Sequence, residues 1–510
     1  MHDPQDMNPQ YLEDLATAYW RSELLFTAVE QGLFTRLQPE GKPVVELAGE
    51  LKLEPESAKR YLQALSTLGL VFLADGYVAN TKLARRYLVE GAADYQGDSI
   101  LWRKYLAESW KSLNQCLEKG TRVLLPPPDE PQGAVNERLR SYSRAMDCVA
   151  KSKIEQILPF FSNLELSGDI LDVGSGLGAF SIGFLERFPQ ARATLLDMSS
   201  VLEYAAKNHK GQAYSSRLQY QPGNILEAWE PSQKQFRLVI LSNIIHAFAE
   251  AEVGHILSQA TARLAEDGLL LIHDFFMEHN PDKATLSDLN MLANTYNGRV
   301  YTAAWLRQQL QSNGLNVTEL VPLQSDTGVL VAAKQPERLA DLCLSPMQQM
   351  TAQIQALGFQ EVKPVEMEAI RMPEWVGLKC EFGCESYGLP QCPPNCIAPE
   401  KTRAMLADYT KCLLLQGMPP TADFQRLVLR AEKTAFKKGY HKAFCLWAGP
   451  CSVCPDCDDK ESCRNHKNAR PSMESSGIDV FETARNAGFS LETLPENDDY
   501  VKFFALLLLE

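Results

Sequence analysis

The sequence predicts a mixed α/β protein that is built from three regions. Helical patterns and a short hairpin occupy the N-terminal part, apolar strand-like runs alternate with helical patterns in the middle, and ten of the thirteen cysteines follow residue 379. A chain of 510 residues fits three domains at about 100–200 residues each. We expect domains over residues 1–98, 161–335 and 346–510, with a helical linker over residues 99–160.

The pattern of residues 1–98 predicts a winged helix. Apolar positions with a helical period run from Leu12 to Val29, and the helix that begins at Pro55 ends at Gly69. The runs Leu70–Ala74 and Tyr77–Asn80 predict two strands joined by the turn dipeptide Asp75-Gly76. Helices followed by a two-stranded wing are typical of this fold.

Residues 161–335 show the alternation that is typical of a parallel sheet wrapped by helices, which predicts a Rossmann-like domain. The predicted strands are Asp169–Val173, Ala193–Asp197, Leu218–Pro222, Phe236–Ser242 and Leu269–His273, with a late pair near Val317–Pro322 and Thr327–Ala333. Pro336 and Pro346 bracket a linker. Beyond it, a predicted helix (Ala422–Lys438) and predicted strands (Ala443–Trp447 and Val501–Leu509) indicate an α+β region.

A glycine-rich turn follows the first strand of the middle region, in the sequence DILDVGSGLG over residues 169–178. Glycines let the backbone approach a ligand closely, and the helix that follows offers free N–H groups. The same letters fit a dinucleotide-binding pattern. Asp172, two residues before Gly174, suits a cationic ligand such as S-adenosylmethionine (SAM) better than a pyrophosphate. Asp197 ends the next strand and suits ribose hydroxyls in either nucleotide.

The middle region and the N-terminal region together resemble the small-molecule O-methyltransferases that include acetylserotonin and hydroxyneurosporene methyltransferases. The resemblance covers roughly residues 10–335. It rests on these segments: Leu33-Phe34, residues 75–80 (DGYVAN), 144–146 (RAM), the glycine loop, Leu196-Asp197, and residues 241–246 (LSNIIH), 265–274 (AEDGLLLIHD) and 290–294 (NMLAN).

This resemblance implies a winged-helix dimerisation domain, a homodimer, SAM as cofactor and a small-molecule methyl acceptor. The linker over residues 99–160 would contribute to the active site. Asp172 and Gly174 would hold the methionine part of SAM, and Asp197 the ribose. Gly223 and Asn224 would flank adenine, although the family usually has Asp at the second position. The remaining cofactor-binding residues implied are Gly176, Gly178, Met146 and Asn243.

Methyl transfer to a hydroxyl also benefits from a general base within hydrogen-bond reach. His246 follows the fourth predicted strand and matches the catalytic His of the family. The family usually has His-Asp here, whereas Ala247 follows His246 in this chain. Two interpretations therefore stay open, a base and a residue that packs or contacts substrate. His273 and Asp274 end the next strand, and Glu278 and His279 follow in the loop. These residues would either contact substrate or form a polar loop.

Eight cysteines form two groups whose spacing is typical of metal ligands. The groups are Cys380, Cys384, Cys392 and Cys396, and Cys451, Cys454, Cys457 and Cys463. Four thiolates suit zinc, while the C-x2-C-x2-C run of the second group resembles an iron–sulfur motif, which we favour there. Residues 350–510 resemble a family of metal-binding domains of unknown function. Cys116, Cys148, Cys412 and Cys445 are predicted core residues.

A net charge of −14 argues against nucleic acid and anionic lipid as partners. No apolar stretch reaches about 18 residues, so we expect no membrane-spanning helix, and the clustered thiols favour the reducing cytoplasm. Sequence reasoning thus predicts a SAM-dependent methyltransferase with a hydroxyl acceptor. The alternatives are a sulfur or nitrogen acceptor, a non-catalytic metal or redox module, and a winged-helix regulator.

Overall fold

The computed structural model describes residues 8–229, 233–417, 421–454, 457, 463–491 and 502–510. The chain divides into two compact units, Met1–Leu342 and Cys343–Glu510. The division falls in the segment that Pro336 and Pro346 bracket. Every helix in the described ranges is too short or too polar to qualify as a membrane span.

The first unit begins with helices and a small antiparallel sheet. Its elements are α1 (Gln10–Thr17), α2 (Tyr19–Glu30), α3 (Leu33–Arg36), β1 (Lys42–Pro43), α4 (Val44–Glu50), α5 (Pro55–Thr67), β2 (Val71–Ala74), β3 (Tyr77–Asn80) and α6 (Lys82–Tyr87). The hairpin prediction is confirmed, and Asp75 and Gly76 both have the positive φ of its tight turn (49° and 76°). Sequence reasoning missed β1, whose two residues pair with β3 and show no period of their own.

Three helices connect this part to the large sheet. They are α7 (Gly97–Trp110), α8 (Leu113–Lys119) and α9 (Gln132–Ile157). The α9 helix packs against α7 and also against α10 and α11 of the next region. The proline-rich segment 125–128 lies in the loop before α9, as its sequence predicts.

The large sheet has the predicted alternation of strands and helices. Its elements are β4 (Gly168–Val173), α10 (Ala179–Arg187), β5 (Ala191–Asp197), α11 (Ser199–His209), β6 (Leu218–Pro222), β7 (Phe236–Ser242), α12 (Glu250–Arg263), β8 (Leu264–Asp274), α13 (Pro281–Asn294), α14 (Ala303–Ser312), β9 (Asn316–Val317), β10 (Val321–Pro322), β11 (Gly328–Ala333) and α15 (Glu337–Ala340). Within the described residues the strand order is β10-β11-β8-β7-β4-β5-β6, and β9 pairs with β11.

Five neighbouring strands of this sheet are parallel, in the order β6, β5, β4, β7 and β8. Their carboxyl ends therefore share one edge of the sheet. β11 runs antiparallel to β8. Residues such as Leu171, Val239 and Leu271 are at most 1% exposed because helices cover both faces. The loops at the shared edge are therefore the part of this sheet that can bind a ligand.

The second unit is an α+β fold around an antiparallel sheet of order β12-β13-β15-β14. Its elements are α16 (Pro346–Gln355), β12 (Glu361–Val365), α17 (Trp375–Gly383), α18 (Pro399–Leu406), β13 (Cys412–Gly417), α19 (Thr421–Lys437), β14 (Phe444–Leu446), α20 (Val480–Asn486) and β15 (Phe503–Leu508). Cys412 and Cys445 are fully buried in this sheet, and Cys116 is buried in the first unit, as predicted. Cys148 is only half-buried.

Candidate functional site

The turn between β4 and α10 is shaped by its glycines. Gly174, Gly176 and Gly178 have φ values of 64°, 55° and 76°, a region that side chains other than glycine rarely adopt. A Cβ atom on Gly174 would lie 2.2 Å from Cδ1 of Ile244, and one on Gly178 would lie 2.9 Å from Cδ1 of Leu195. The loop therefore needs glycine both for its backbone conformation and for its close packing.

Two carboxylates flank this turn. Asp172 is 3% exposed and accepts hydrogen bonds from the backbone N–H (3.3 Å) and hydroxyl (2.8 Å) of Ser181. Burial raises the pKa of Asp172 to about 7 despite these bonds. Asp197 accepts hydrogen bonds from the N–H groups of Gly176 (2.8 Å) and Met198 (2.7 Å), and burial raises its pKa as well. A cationic ligand would favour the ionised form of both groups.

Two buried polar atoms in neighbouring loops have no hydrogen-bond partner among the described residues. They are the Ser175 hydroxyl, in the glycine turn, and Oδ1 of Asn243, just after β7. Asn243 has a positive φ of 54°, and its N–H donates to the carbonyl of His273 (2.8 Å). An unpartnered buried polar atom costs about 1–3 kcal/mol, so a polar ligand here would stabilise the protein. The loops thus fit SAM, and Ser175 is a candidate contact that sequence reasoning missed.

The other residues predicted to bind the cofactor lie in three places. Gly223 follows β6, and its N–H donates to the Asp197 carbonyl (3.0 Å), which brings it to the same edge. Asn224 is exposed, and its side chain accepts from the Leu226 N–H (3.0 Å) and donates to Glu227 (3.3 Å). Its side chain thus stabilises a local turn. Met146 is half-buried on α9.

His246 has a carboxylate partner that the sequence around it does not contain. Its Nδ1 lies 2.5 Å from Oδ1 of Asp274, which is 1% exposed. The pairing of Ser242 with His273 in adjacent parallel strands brings the two residues together across 28 positions of sequence. Because a carboxylate only accepts hydrogen bonds, the neutral imidazole of His246 carries its proton on Nδ1 and keeps the lone pair on Nε2.

Asp274 is held by more than His246. Its oxygens also accept from the N–H groups of His246 (3.3 Å) and Phe275 (2.8 Å). The neighbouring His273 is fully buried and hydrogen-bonds to the hydroxyls of Ser242 and Thr327, both at 2.9 Å. Burial lowers the pKa of His273 to about 3, so it stays neutral. Both residues are therefore buried at the end of β8, the strand end that the sequence predicts for them.

Aromatic side chains on α7 and α9 form a cluster within the predicted linker. The ring of Trp102 stacks on Tyr105 (centroids 4.7 Å apart) and lies 5.3 Å from Tyr142. The α9 helix packs against α10, which follows the glycine turn, and against α11, which follows β5. These helices therefore bring apolar surface to the edge of the sheet where the glycine turn lies.

In the second unit, seven of the eight predicted cysteine ligands line two recesses. One recess is lined by Cys451, Cys454, Cys457 and Cys463 of the second group together with Cys392 of the first. The other is lined by Cys380, Cys384 and Cys392, and also by Glu474. Cys396 is in neither lining, and its thiol donates to the Ser475 carbonyl (3.2 Å).

The chemistry of these side chains suits a thiophilic metal. Nδ2 of Asn465 lies 3.8 Å from Sγ of Cys454, as a donor to a thiolate would. Among the residues that the structure describes, no group of three or more His, Cys, Asp or Glu side chains has the spacing to hold a metal ion. The fit therefore rests on the donor set.

Three family models match separate parts of the chain. An O-methyltransferase dimerisation domain matches residues 13–90, an O-methyltransferase domain matches residues 132–316, and the family "Predicted metal-binding protein (DUF2284)" matches residues 363–509. The chain thus contains an O-methyltransferase domain together with an O-methyltransferase dimerisation domain. It is a SAM-dependent methyltransferase that carries a DUF2284 region after its catalytic part.

Relatives of this methyltransferase match over nearly their whole length. The 3-hydroxy-5-methyl-1-naphthoate 3-O-methyltransferase of Streptomyces sahachiroi is 28% identical over 340 residues, which cover 65% of this chain and 97% of the relative. Acetylserotonin O-methyltransferase of Bos taurus is 26% identical, with 59% and 91% covered. The crystal structure of human N-acetylserotonin methyltransferase in complex with SAM has a TM-score of 0.56 at 20% identity and covers 66% of this chain and 99% of its own, so it shares the fold.

Proposed function

We propose that this methyltransferase methylates a hydroxyl group on a small aromatic acceptor, and that His246 is the general base. The observation that carries the proposal is the His246–Asp274 pair at 2.5 Å, at the same edge of the sheet as the glycine turn. The aromatic cluster of Trp102, Tyr105 and Tyr142 supports an aromatic acceptor. Two relatives, named for a hydroxynaphthoate and for acetylserotonin, support the same class.

The residues divide the work between the cofactor and the acceptor. When SAM is bound, it supplies an electrophilic methyl group on a sulfonium sulfur. Asp172, Gly174, Gly176 and Gly178 would surround its methionine part, and Asp197 would accept hydrogen bonds from the ribose. The other predicted contacts are Gly223, Asn224, Met146 and Asn243, to which we add Ser175.

His246 would act on the acceptor through Nε2, the nitrogen that Asp274 leaves unprotonated. It would accept the hydroxyl proton while the oxygen attacks, and Asp274 would stabilise the resulting imidazolium. The helices α7 and α9, in the predicted linker, would hold the ring of the acceptor and exclude water from it. Alignment of the acceptor oxygen with the methyl carbon then supplies most of the remaining acceleration.

An acceptor screen tests this assignment directly. Wild-type chain and SAM would be incubated with matched aromatic compounds that bear a hydroxyl, a thiol or an amine at the same ring position. We expect methyl transfer to the hydroxyl compound, with a loss of at least about 100-fold in His246→Ala. Transfer only to the thiol or amine, or an undiminished rate in His246→Ala, would contradict the proposal.

We further propose that the cysteines of the second unit bind metal, zinc or iron–sulfur, with an iron–sulfur cluster favoured for Cys451, Cys454, Cys457 and Cys463. Their C-x2-C-x2-C run supports the cluster, although the fourth cysteine follows at a longer spacing than in ferredoxins. Clustered thiols of this kind also support a cytoplasmic location. Visible absorption and elemental analysis of anaerobically purified chain would distinguish the two metals.

We also propose a homodimer formed through the N-terminal helices. Four large apolar side chains on α1 and α2, Leu12, Leu15, Tyr19 and Trp20, are 56–66% exposed. Isolated exposed apolar residues are ordinary, but a group of this size on adjacent helices is typical of an interface. The dimerisation-domain match over residues 13–90 includes most of this surface.

A further inference from the structure

The loop between α13 and α14, residues 295–301, packs directly on the main chain of His246. A Cβ atom on Gly298 would lie 2.5 Å from the carbonyl oxygen of His246 and 3.0 Å from the carbonyl carbon of Ala247. The φ of Gly298 lies outside the positive region, which any residue type tolerates. Glycine is therefore needed at this position for the close approach of two backbone segments and not for its conformation.

Two side chains of the same loop hold the residues that follow His246. The Tyr301 hydroxyl donates to the Phe248 carbonyl at 2.7 Å, and the Tyr301 side chain is buried. Nδ2 of Asn297 donates to Oε2 of Glu252 at 2.9 Å, and that oxygen also accepts from the Ala249 N–H at 2.9 Å. The loop therefore contacts the chain at several successive points within residues 246–252, beginning at the candidate base.

The loop is itself anchored to α13. The Thr295 hydroxyl donates to the Met291 carbonyl (2.7 Å) and accepts from the Gly298 N–H (2.9 Å), and the Val300 N–H donates to Oδ1 of Asp288 (2.7 Å). A Cβ atom on Gly298 would also lie 2.6 Å from Oγ1 of Thr295. Because the added atom meets the anchor on one side and the main chain of His246 on the other, the loop cannot make room for it without moving one of them.

We propose that Gly298 is a positioning residue for methyl transfer, because the loop 295–301 fixes the main chain of His246 while Asp274 fixes its imidazole. The inference rests on the proposed role of His246 as the base. A base must lie about 2.6–3.2 Å from the atom whose proton it accepts, and a misplacement of about 1 Å can lower the rate by roughly 100-fold. Gly298 thus controls the rate without supplying a reacting atom.

The variant Gly298→Ala of the full-length chain tests the proposal. Its kcat would be measured at saturating SAM with the hydroxyl compound that the acceptor screen identifies, and its affinity for S-adenosylhomocysteine by calorimetry. We expect kcat to fall by at least about 10-fold and the affinity to stay within about 3-fold of wild type, because the glycine turn follows a different strand. The matched control is Gly254→Ala on α12, where a Cβ atom meets nothing within 4 Å, and it should equal the wild type in both measurements.

Proton NMR of the chain with bound S-adenosylhomocysteine gives a second measurement that needs no acceptor. The proton that Nδ1 of His246 donates to Asp274 should resonate far downfield of the amide protons, and its absence in His246→Ala assigns it. We expect this signal to shift or broaden in Gly298→Ala and to stay unchanged in Gly254→Ala. A purely structural role of Gly298 would lower the melting temperature but leave both the signal and kcat of the folded chain unchanged.

A second variant, Tyr301→Phe, keeps the test decisive if Gly298→Ala does not fold. It retains the ring and removes only the hydrogen bond to the Phe248 carbonyl, so we expect kcat to fall by about 3–10-fold. If His246→Ala is slow, a wild-type kcat and an unshifted signal in Gly298→Ala, or in Tyr301→Phe where that variant replaces it, would overturn the inference alone. A wild-type rate in His246→Ala would overturn the proposed function as well.

Discussion

Replacement of Asp274 by Asn isolates the contribution of the carboxylate to base catalysis by His246. Oδ1 accepts from Nδ1 of His246 (2.5 Å) and from the Phe275 N–H (2.8 Å), so the oxygen of the amide is needed at that position. The amide nitrogen must then face the backbone N–H of His246, which at present donates to Oδ2 at 3.3 Å. The variant therefore keeps the shape of the site, introduces one donor–donor contact and removes the negative charge.

The lost charge sets the expected size of the effect. Two unit charges about 4 Å apart interact by ~4 kcal/mol at an effective dielectric constant of about 20. If that interaction stabilises the imidazolium in the transition state, its loss lowers kcat by roughly 10²–10³-fold. This lies within the usual range of about 10²–10⁴-fold for general base catalysis.

The assay is the rate of S-adenosylhomocysteine formation at saturating SAM and acceptor, with SAM affinity measured separately by calorimetry. Affinity for SAM should stay within about 3-fold of wild type, because Asp274 acts through His246. For the same reason, the double variant of Asp274→Asn and His246→Ala should be no slower than His246→Ala alone. Asp267→Asn, at the exposed opposite end of β8, is the control. A kcat within 3-fold of wild type in Asp274→Asn, or fully multiplicative losses in the double variant, would refute this role.

Three further predictions concern the cofactor site and the dimer. Burial raises the pKa of Asp172 from its ordinary value of 3.8 to about 7, so the folded chain binds more protons than the unfolded chain between these values. The stability of the chain without SAM should therefore fall as pH rises from about 4 to 7. Asp172→Asn should remove that part of the slope, up to ~4 kcal/mol, in urea unfolding at each pH; an identical slope in both proteins would contradict the assignment. Gly174→Ala should lower SAM affinity, measured by calorimetry, at least about 10-fold, because its Cβ would lie 2.2 Å from Cδ1 of Ile244. The control Gly254→Ala, which has open space on α12, should instead raise stability in thermal unfolding by about 0.5–1 kcal/mol. Equal SAM affinities in the two variants would contradict a ligand at the turn. The double variant Leu12→Glu and Trp20→Glu should sediment as a monomer, while Leu117→Glu, equally exposed on α8, should sediment as the wild type does; an unchanged dimer in the first variant would exclude this surface.

Local patterns predicted most of the architecture of the first unit. The parallel strands around the glycine turn are found within two residues of their predicted start points, except β8, which begins five residues earlier than Leu269. Apolar runs and turn residues carry that information because they act between near neighbours in sequence. The two-residue strand β1 carries no such pattern, since it forms only where β3 offers it a partner. The single strand predicted near Val317–Pro322 is instead two short strands, β9 and β10, which both pair with β11.

The sequence by itself determined the strand, glycine turn and helix of the cofactor site, because the apolar run and the closely spaced glycines that favour this conformation all lie within residues 169–178. Only the tertiary structure decided the partner of His246, since the register of β7 and β8 places Asp274 beside it. The same holds for Glu474, which shares a recess with Cys380 although no spacing rule connects them. Side chains from distant segments meet only when strand register and loop packing bring them together, and a local pattern contains neither.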